Sequence, residues 1–217
     1  MAVDEARARE AVRELLAACG LDPDSPQFAR TPARVAAAAG ELFSGVGADA
    51  VTPLVEGRIS LEEPSEASES AAVEAGSGAG DDAVADASQA VLLRNIRFRS
   101  MCEHHLLPFD GWVQLAYLPG DSIIGFGRLY DLVETLSSRP TLQEKLGDDL
   151  VDAVMTGLDA RGAIAVLEAR QGCVADRGPR QADSETVTFA TRGAFNNPDA
   201  RAEVLRLIAL GATDRGE

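Results

Sequence analysis

A single acidic stretch decides what this chain can fold into. Residues 57–88 are rich in Ser, Ala, Gly, Glu and Asp and contain no aromatic side chain. Between 59 and 90 stand Glu62, Glu63, Glu66, Glu69, Glu74, Asp81, Asp82 and Asp86, with no Lys or Arg among them. Such a segment has too little apolar surface to offset its ordering entropy. The chain of 217 residues therefore divides into an N-terminal helical segment at 1–55, an acidic low-complexity linker at 56–90, expected to be disordered, and a folded domain at 91–217.

The flanking sequence carries clear periodicities. Residues 4–19 place Ala8, Val12, Leu15, Leu16 and Cys19 at three- and four-residue spacing, the pattern of an amphipathic helix, and Gly20 stops it. On that pattern Cys19 is a buried small hydrophobe. Thr31-Pro32 reads as an N-cap followed by proline in the first turn of a second helix. From 91 onward the period changes. Leu92, Ile96 and Phe98, then Val113, Leu115 and Tyr117, alternate as strands do, and 122–126, 163–169 and 186–191 read as further strands. Helices are expected from Leu129 to Leu136, from Thr141 to Leu158, and from Asn197 to Gly211. Thr141-x-x-Glu144 has the form of a capping box. The sum is an α+β fold.

Chemistry concentrates at one place. Both histidines of the chain, His104 and His105, follow Cys102 directly in Cys102-Glu-His-His105. Thiolate and imidazole at this spacing make half of a zinc site, and Cys173 is the candidate for the rest. Two cysteines and one histidine leave a fourth position open, which is the arrangement of catalytic rather than structural zinc. Three cysteines in all, an odd number, argue against a disulfide framework and for a reducing cytoplasm. The N-terminus lacks the basic and apolar regions of a secretory signal, and no 18-residue apolar run predicts a membrane span. A net charge of −15 disfavours nucleic acid as a partner.

The motifs taken in order resemble those of the GTP cyclohydrolase I family. They are Thr-Pro-x-Arg-Val at 31–35, Glu-Leu-Phe-Ser-Gly at 41–45, Cys-Glu-His-His-Leu-Leu-Pro-Phe at 102–109, Ile-Ile-Gly at 123–125, Arg-Pro-x-Leu-Gln-Glu at 139–144, and Cys-x-x-x-Arg-Gly at 173–178. The resemblance spans most of the chain except 56–90. It implies the tunnelling fold: an antiparallel sheet with helices on one face, joined with neighbouring sheets into a barrel, in a decamer of two pentamers. It also implies zinc held by Cys102, His105 and Cys173. The implied reaction opens the imidazole ring of GTP at C8 and gives formate and 7,8-dihydroneopterin triphosphate, a step of pterin and tetrahydrofolate biosynthesis.

By the same resemblance His104 transfers protons, which suits an imidazole. Glu144 holds the guanine edge, with Gln143 beside it a weaker pocket candidate. Arg34, Arg128 and Arg177 hold the triphosphate, as guanidinium forks can. The chain departs from the family at four positions. Gln171 stands where a second catalytic histidine is usual, and glutamine cannot exchange a proton at neutral pH. Gly127 replaces a serine, Asp131 a phosphate-binding cation, and Ala37 a lysine. These departures leave open a paralogue that stops at a ring-opened formamidopyrimidine nucleotide or takes another guanine derivative. A non-catalytic, zinc-stabilised partner of the oligomer, and a nitrile reductase using a nucleophilic cysteine, are the other readings.

Overall fold

The computed structural model describes residues 3–61 and 89–210. The body of the acidic segment, from 62 to 88, lies outside them. Two helices open the chain, α1 (Glu5–Ala18) and α2 (Thr31–Leu42). Asp4 caps α1 by accepting a hydrogen bond from the Arg7 N–H at 3.0 Å. The two helices pack on each other, yet α1 buries no residue, and Cys19 is exposed rather than inside. Its apolar stripe is real, but within one chain only α2 lies against it. Thr31 is also not the cap of α2. It is the first helical residue, and Arg30 precedes it with no side-chain hydrogen bond, while Pro32 fills the first turn as expected.

Ordered structure continues past 56, where the linker was expected to begin. Asp49 accepts from the N–H groups of Val51 and Thr52 at 2.9 and 3.0 Å and starts a short helix, α3 (Thr52–Glu56). Strand β1 (Arg58–Ser60) then pairs antiparallel with β4 (Ser122–Ile124), Ile59 opposite Ile123. The Arg58 guanidinium secures it, donating to the carbonyls of Gly157 at 2.7 Å and Thr156 at 3.1 Å. An average over 32 residues of composition hides three that pair.

The main sheet is built from β2 (Val91–Cys102), β3 (Pro108–Leu118), β5 (Pro140–Thr141), β6 (Gly162–Gln171) and β7 (Glu185–Gly193), in the order β5-β2-β3-β6-β7. All neighbours run antiparallel except the short β5, which lies parallel to the end of β2. Between β3 and β6 the backbones approach so closely that a Cβ on Gly111 would sit 1.9 Å from the Glu168 carbonyl oxygen. Only glycine allows this contact.

Helices α4 (Phe126–Ser137) and α5 (Gln143–Leu158) cover one face of the sheet. Leu146, Leu150, Val154 and Leu158 recur every four residues along α5 and are fully buried against Leu115, Tyr117 and Leu167. Asp159 ends the helix in the left-handed region at φ 53°, a place where Asp is tolerated after Gly and Asn. The closing helix α7 (Pro198–Leu210) starts at Asn197, whose side-chain oxygen accepts from the Asp199 N–H at 2.8 Å. With Phe195 it packs onto Ala116, Leu118, Ile164 and Val166, on the opposite face of the sheet and at one end only. That is why both alternating sets of β3 are buried there. Among the described residues no helix is long and apolar enough to cross a membrane.

Candidate metal centre

Three strand ends and one helix start converge on Cys102. Strand β2 stops at Cys102, and the chain folds back at once into β3. The Cys102 N–H donates to the Leu107 carbonyl at 2.8 Å, and the Leu106 N–H donates to the Cys102 carbonyl at 2.8 Å. Leu106 takes a left-handed φ of 51° to close the turn. This tight return brings His105 back over Cys102, with Nδ1 3.8 Å from Sγ.

Register places the other parts. Thr141 of β5 lies opposite Cys102, so α5 begins beside it. Gln171, the last residue of β6, lies opposite Phe109 at the start of β3. The next residues form the single turn α6 (Gly172–Ala175), which carries Cys173. A Cβ on Gly172 would come within 2.6 Å of the Pro108 carbonyl oxygen, so glycine is what lets Cys173 approach β3.

The result is a cluster of ligand atoms. Those of Cys102, His105 and Cys173 all lie within 4.8 Å of one another. Cys102 is buried, Cys173 half-buried and His105 exposed. Burial pushes the Cys173 thiol up, the neighbouring Cys102 adds to this, and Arg177 opposes it. Two thiols and an imidazole this close fit a tetrahedral zinc ion with one open position. The donor set suits zinc better than magnesium or calcium, which prefer oxygen.

A cavity of about 390 Å³ opens on the cluster. Besides the three ligands it is lined by His104, Glu144, Gln143 and Gln171. Glu144 does not act as the expected helix cap. Thr141 belongs to β5 and Leu142 precedes the helix with no side-chain cap. Thr141 Oγ1 lies 3.3 Å from the Leu142 carbonyl. The exposed Glu144 carboxylate in the first turn of α5 is left facing the cavity.

Gln143 differs from what its position in the sequence suggests. It is only 3% exposed, and its amide nitrogen donates to the carbonyls of Leu167 at 3.0 Å and Thr186 at 2.9 Å. Its oxygen accepts from Gln171 Nε2 at 2.6 Å. No sequence pattern marked this pair, which are 28 residues apart.

The three arginines do not gather within one chain. Arg177 follows α6 and its charge acts on Cys173, but none of Arg177, Arg34 on α2 and Arg128 on α4 lines the cavity. Arg34 and Arg128 are exposed, as are Ala37, Gly127 and Asp131.

A two-cysteine, one-histidine cluster at the strand ends of an α+β chain has the donor set of an enzyme site that could hold a metal with one open position. Comparison with known proteins narrows this further. The family model of GTP cyclohydrolase I matches residues 8–209, so the chain belongs to that family. A GTP cyclohydrolase 1 of Leifsonia xyli subsp. xyli is 44% identical over 209 residues, covering 96% of this chain and 97% of that protein. Those of Corynebacterium glutamicum (strain R) and Rhodopirellula baltica are 40% and 38% identical. They cover 94% and 97% of this chain, and are themselves covered over 93% and 82% of their length.

Proposed function

We propose that the protein hydrolyses the imidazole ring of GTP, releasing formate and forming 7,8-dihydroneopterin triphosphate, with zinc held by Cys102, His105 and Cys173. The observation that carries this reading is the three-ligand cluster at the mouth of a cavity shared with His104 and Glu144. Zinc held there supplies Lewis acidity for hydrolysis near neutral pH. The Glu144 carboxylate accepts from the ring N1–H and the exocyclic amine of guanine. Adenine offers no N1–H there, so it leaves the carboxylate underpaired. His104 stands in the cavity beside the ligands and moves protons onto and off the nitrogens of the opening ring.

Glu144→Gln tests the recognition step. It is expected to lower kcat/KM for GTP about 30-fold, the scale of one charge-assisted hydrogen bond, and to narrow the preference for GTP over ITP. An unchanged preference would remove Glu144 from the guanine edge.

A second reading is favoured by Gln171, which lines the cavity where proton exchange is needed late in the reaction. On that reading the product is a formamidopyrimidine nucleotide and no formate appears.

The protein is further proposed to work as a homo-oligomer, with the decamer as the family expectation. Among the described residues the outer edge of β7 is unpaired, and that of β2 is covered only at Met101 and Cys102. Val187 and Phe189 on β7 are 62% and 61% exposed. Arg99, Asp110, Arg170 and Glu185 lie side by side across four strands, so the two edges end in opposite charges. Open, complementary edges favour pairing with another copy. A neighbouring copy then supplies the arginines that this chain does not bring to its own cavity. The mass in solution checks this: ten chains are expected, and a single chain would contradict it.

A further inference from the structure

Gln143 and Gln171 form a pair whose hydrogen-bond directions can be read without ambiguity. One terminal atom of Gln143 sits between the carbonyl oxygens of Leu167 and Thr186, at 3.0 and 2.9 Å. Carbonyls only accept, so that atom is the amide nitrogen, and both of its hydrogens are used. The other terminal atom is an oxygen that can only accept. It lies 2.6 Å from the Gln171 amide, which must therefore donate through Nε2. The orientation of Gln171 follows: its own Oε1 points away from Gln143. Among the described residues that oxygen has no hydrogen-bond partner, and it is not sealed from solvent. Gln171 lines the cavity beside Cys173.

We propose that Gln143 is a positioning residue that locks Gln171, so that the Gln171 carbonyl oxygen accepts a hydrogen bond from an N–H or O–H of the substrate. This rests on the guanine-nucleotide reading of the cavity. The Gln143 amide is 3% exposed with both N–H groups and its oxygen already engaged, so the free acceptor beside it is that of Gln171. Gln171 contacts the substrate as a fixed acceptor and moves no proton. Its contribution is to binding, in ground state and transition state alike.

The test is a KM against kcat comparison with GTP on the zinc-loaded protein. Gln171→Met keeps the length and removes both hydrogen bonds. It is expected to raise KM about tenfold and leave kcat within about twofold. Gln143→Met is expected to raise KM by a similar factor alone, and to add nothing in the Gln171→Met background, because it acts through Gln171. Gln171→Met is also expected to keep the wild-type zinc content, which separates loss of a substrate contact from damage to the neighbouring Cys173.

An unchanged KM in Gln171→Met, a fall in kcat instead, or a rise in KM that comes only with loss of zinc would each overturn the proposal. Should the wild type bind GTP without turning it over, the proposed function fails. The calorimetric Kd of wild type against Gln171→Met then decides the inference separately. A wild type that binds no GTP overturns both.

Discussion

The Cys102→Ser protein is expected to lose its metal and its turnover together. Zinc content should fall from about one per chain to a small fraction of that, because a serine oxygen is a poor replacement for thiolate at neutral pH. Formate release from GTP should fall by more than about 100-fold, the upper end for loss of a mere supporting partner of a ligand. The position leaves little room for compensation. Cys102 is 6% exposed, paired to Thr141 of β5, and held by backbone hydrogen bonds from its N–H to Leu107 and to its carbonyl from Leu106. Elemental analysis of the purified protein and a formate assay are the two readouts. Full turnover in a metal-free variant would contradict the role given to the cluster.

The His104→Ala protein is expected to separate binding from chemistry. His104 is exposed on the turn after Cys102 and lines the cavity, while His105 lies over the Cys102 sulfur. Removing His104 should leave zinc content and thermal stability unchanged. It should lower kcat by about 10²- to 10⁴-fold, the usual contribution of a positioned acid–base group. KM for GTP should change much less. The corresponding His105→Ala protein should lose zinc instead, so the two adjacent histidines report on different functions. Loss of zinc from His104→Ala would show that it, too, holds the metal.

Much of this could be seen in the sequence because the chemistry is crowded into short motifs. Cys102 and His105 are held together by one turn, and only the approach of Cys173 depends on tertiary structure, which Gly172 permits. The strand carrying Ile96 and Phe98 was legible from alternation, since both pack into the core under α4 and α5. Alternation weakened where α7 covered the second face, at Ala116 and Leu118. The capping box at Thr141 misled because its first residue serves a strand. Thr141 is used to pair with Cys102, which moves the helix start to Gln143 and turns Glu144 into the cavity. Cys19 misled for a different reason. An amphipathic stripe shows that a face is apolar, not what covers it. Gln143 carried no local signal: its partners lie on β6 and β7, and only the fold brings them together.

The departures from the family fall outside the buried core: Gln171 lines the cavity, while the exposed Asp131 and Gly127 on α4 and Ala37 on α2 do not. Cys102, His105 and Cys173, proposed to hold zinc, lie together, so the departures bear on the later steps and the substrate charge of the proposed reaction rather than on the metal site.

Incubating the zinc-loaded protein with GTP and following pterin and formate together by mass spectrometry tests the central claim most directly. The account predicts 7,8-dihydroneopterin triphosphate and one formate per GTP consumed. Unchanged GTP, or a ring-opened formamidopyrimidine with no formate, would contradict it.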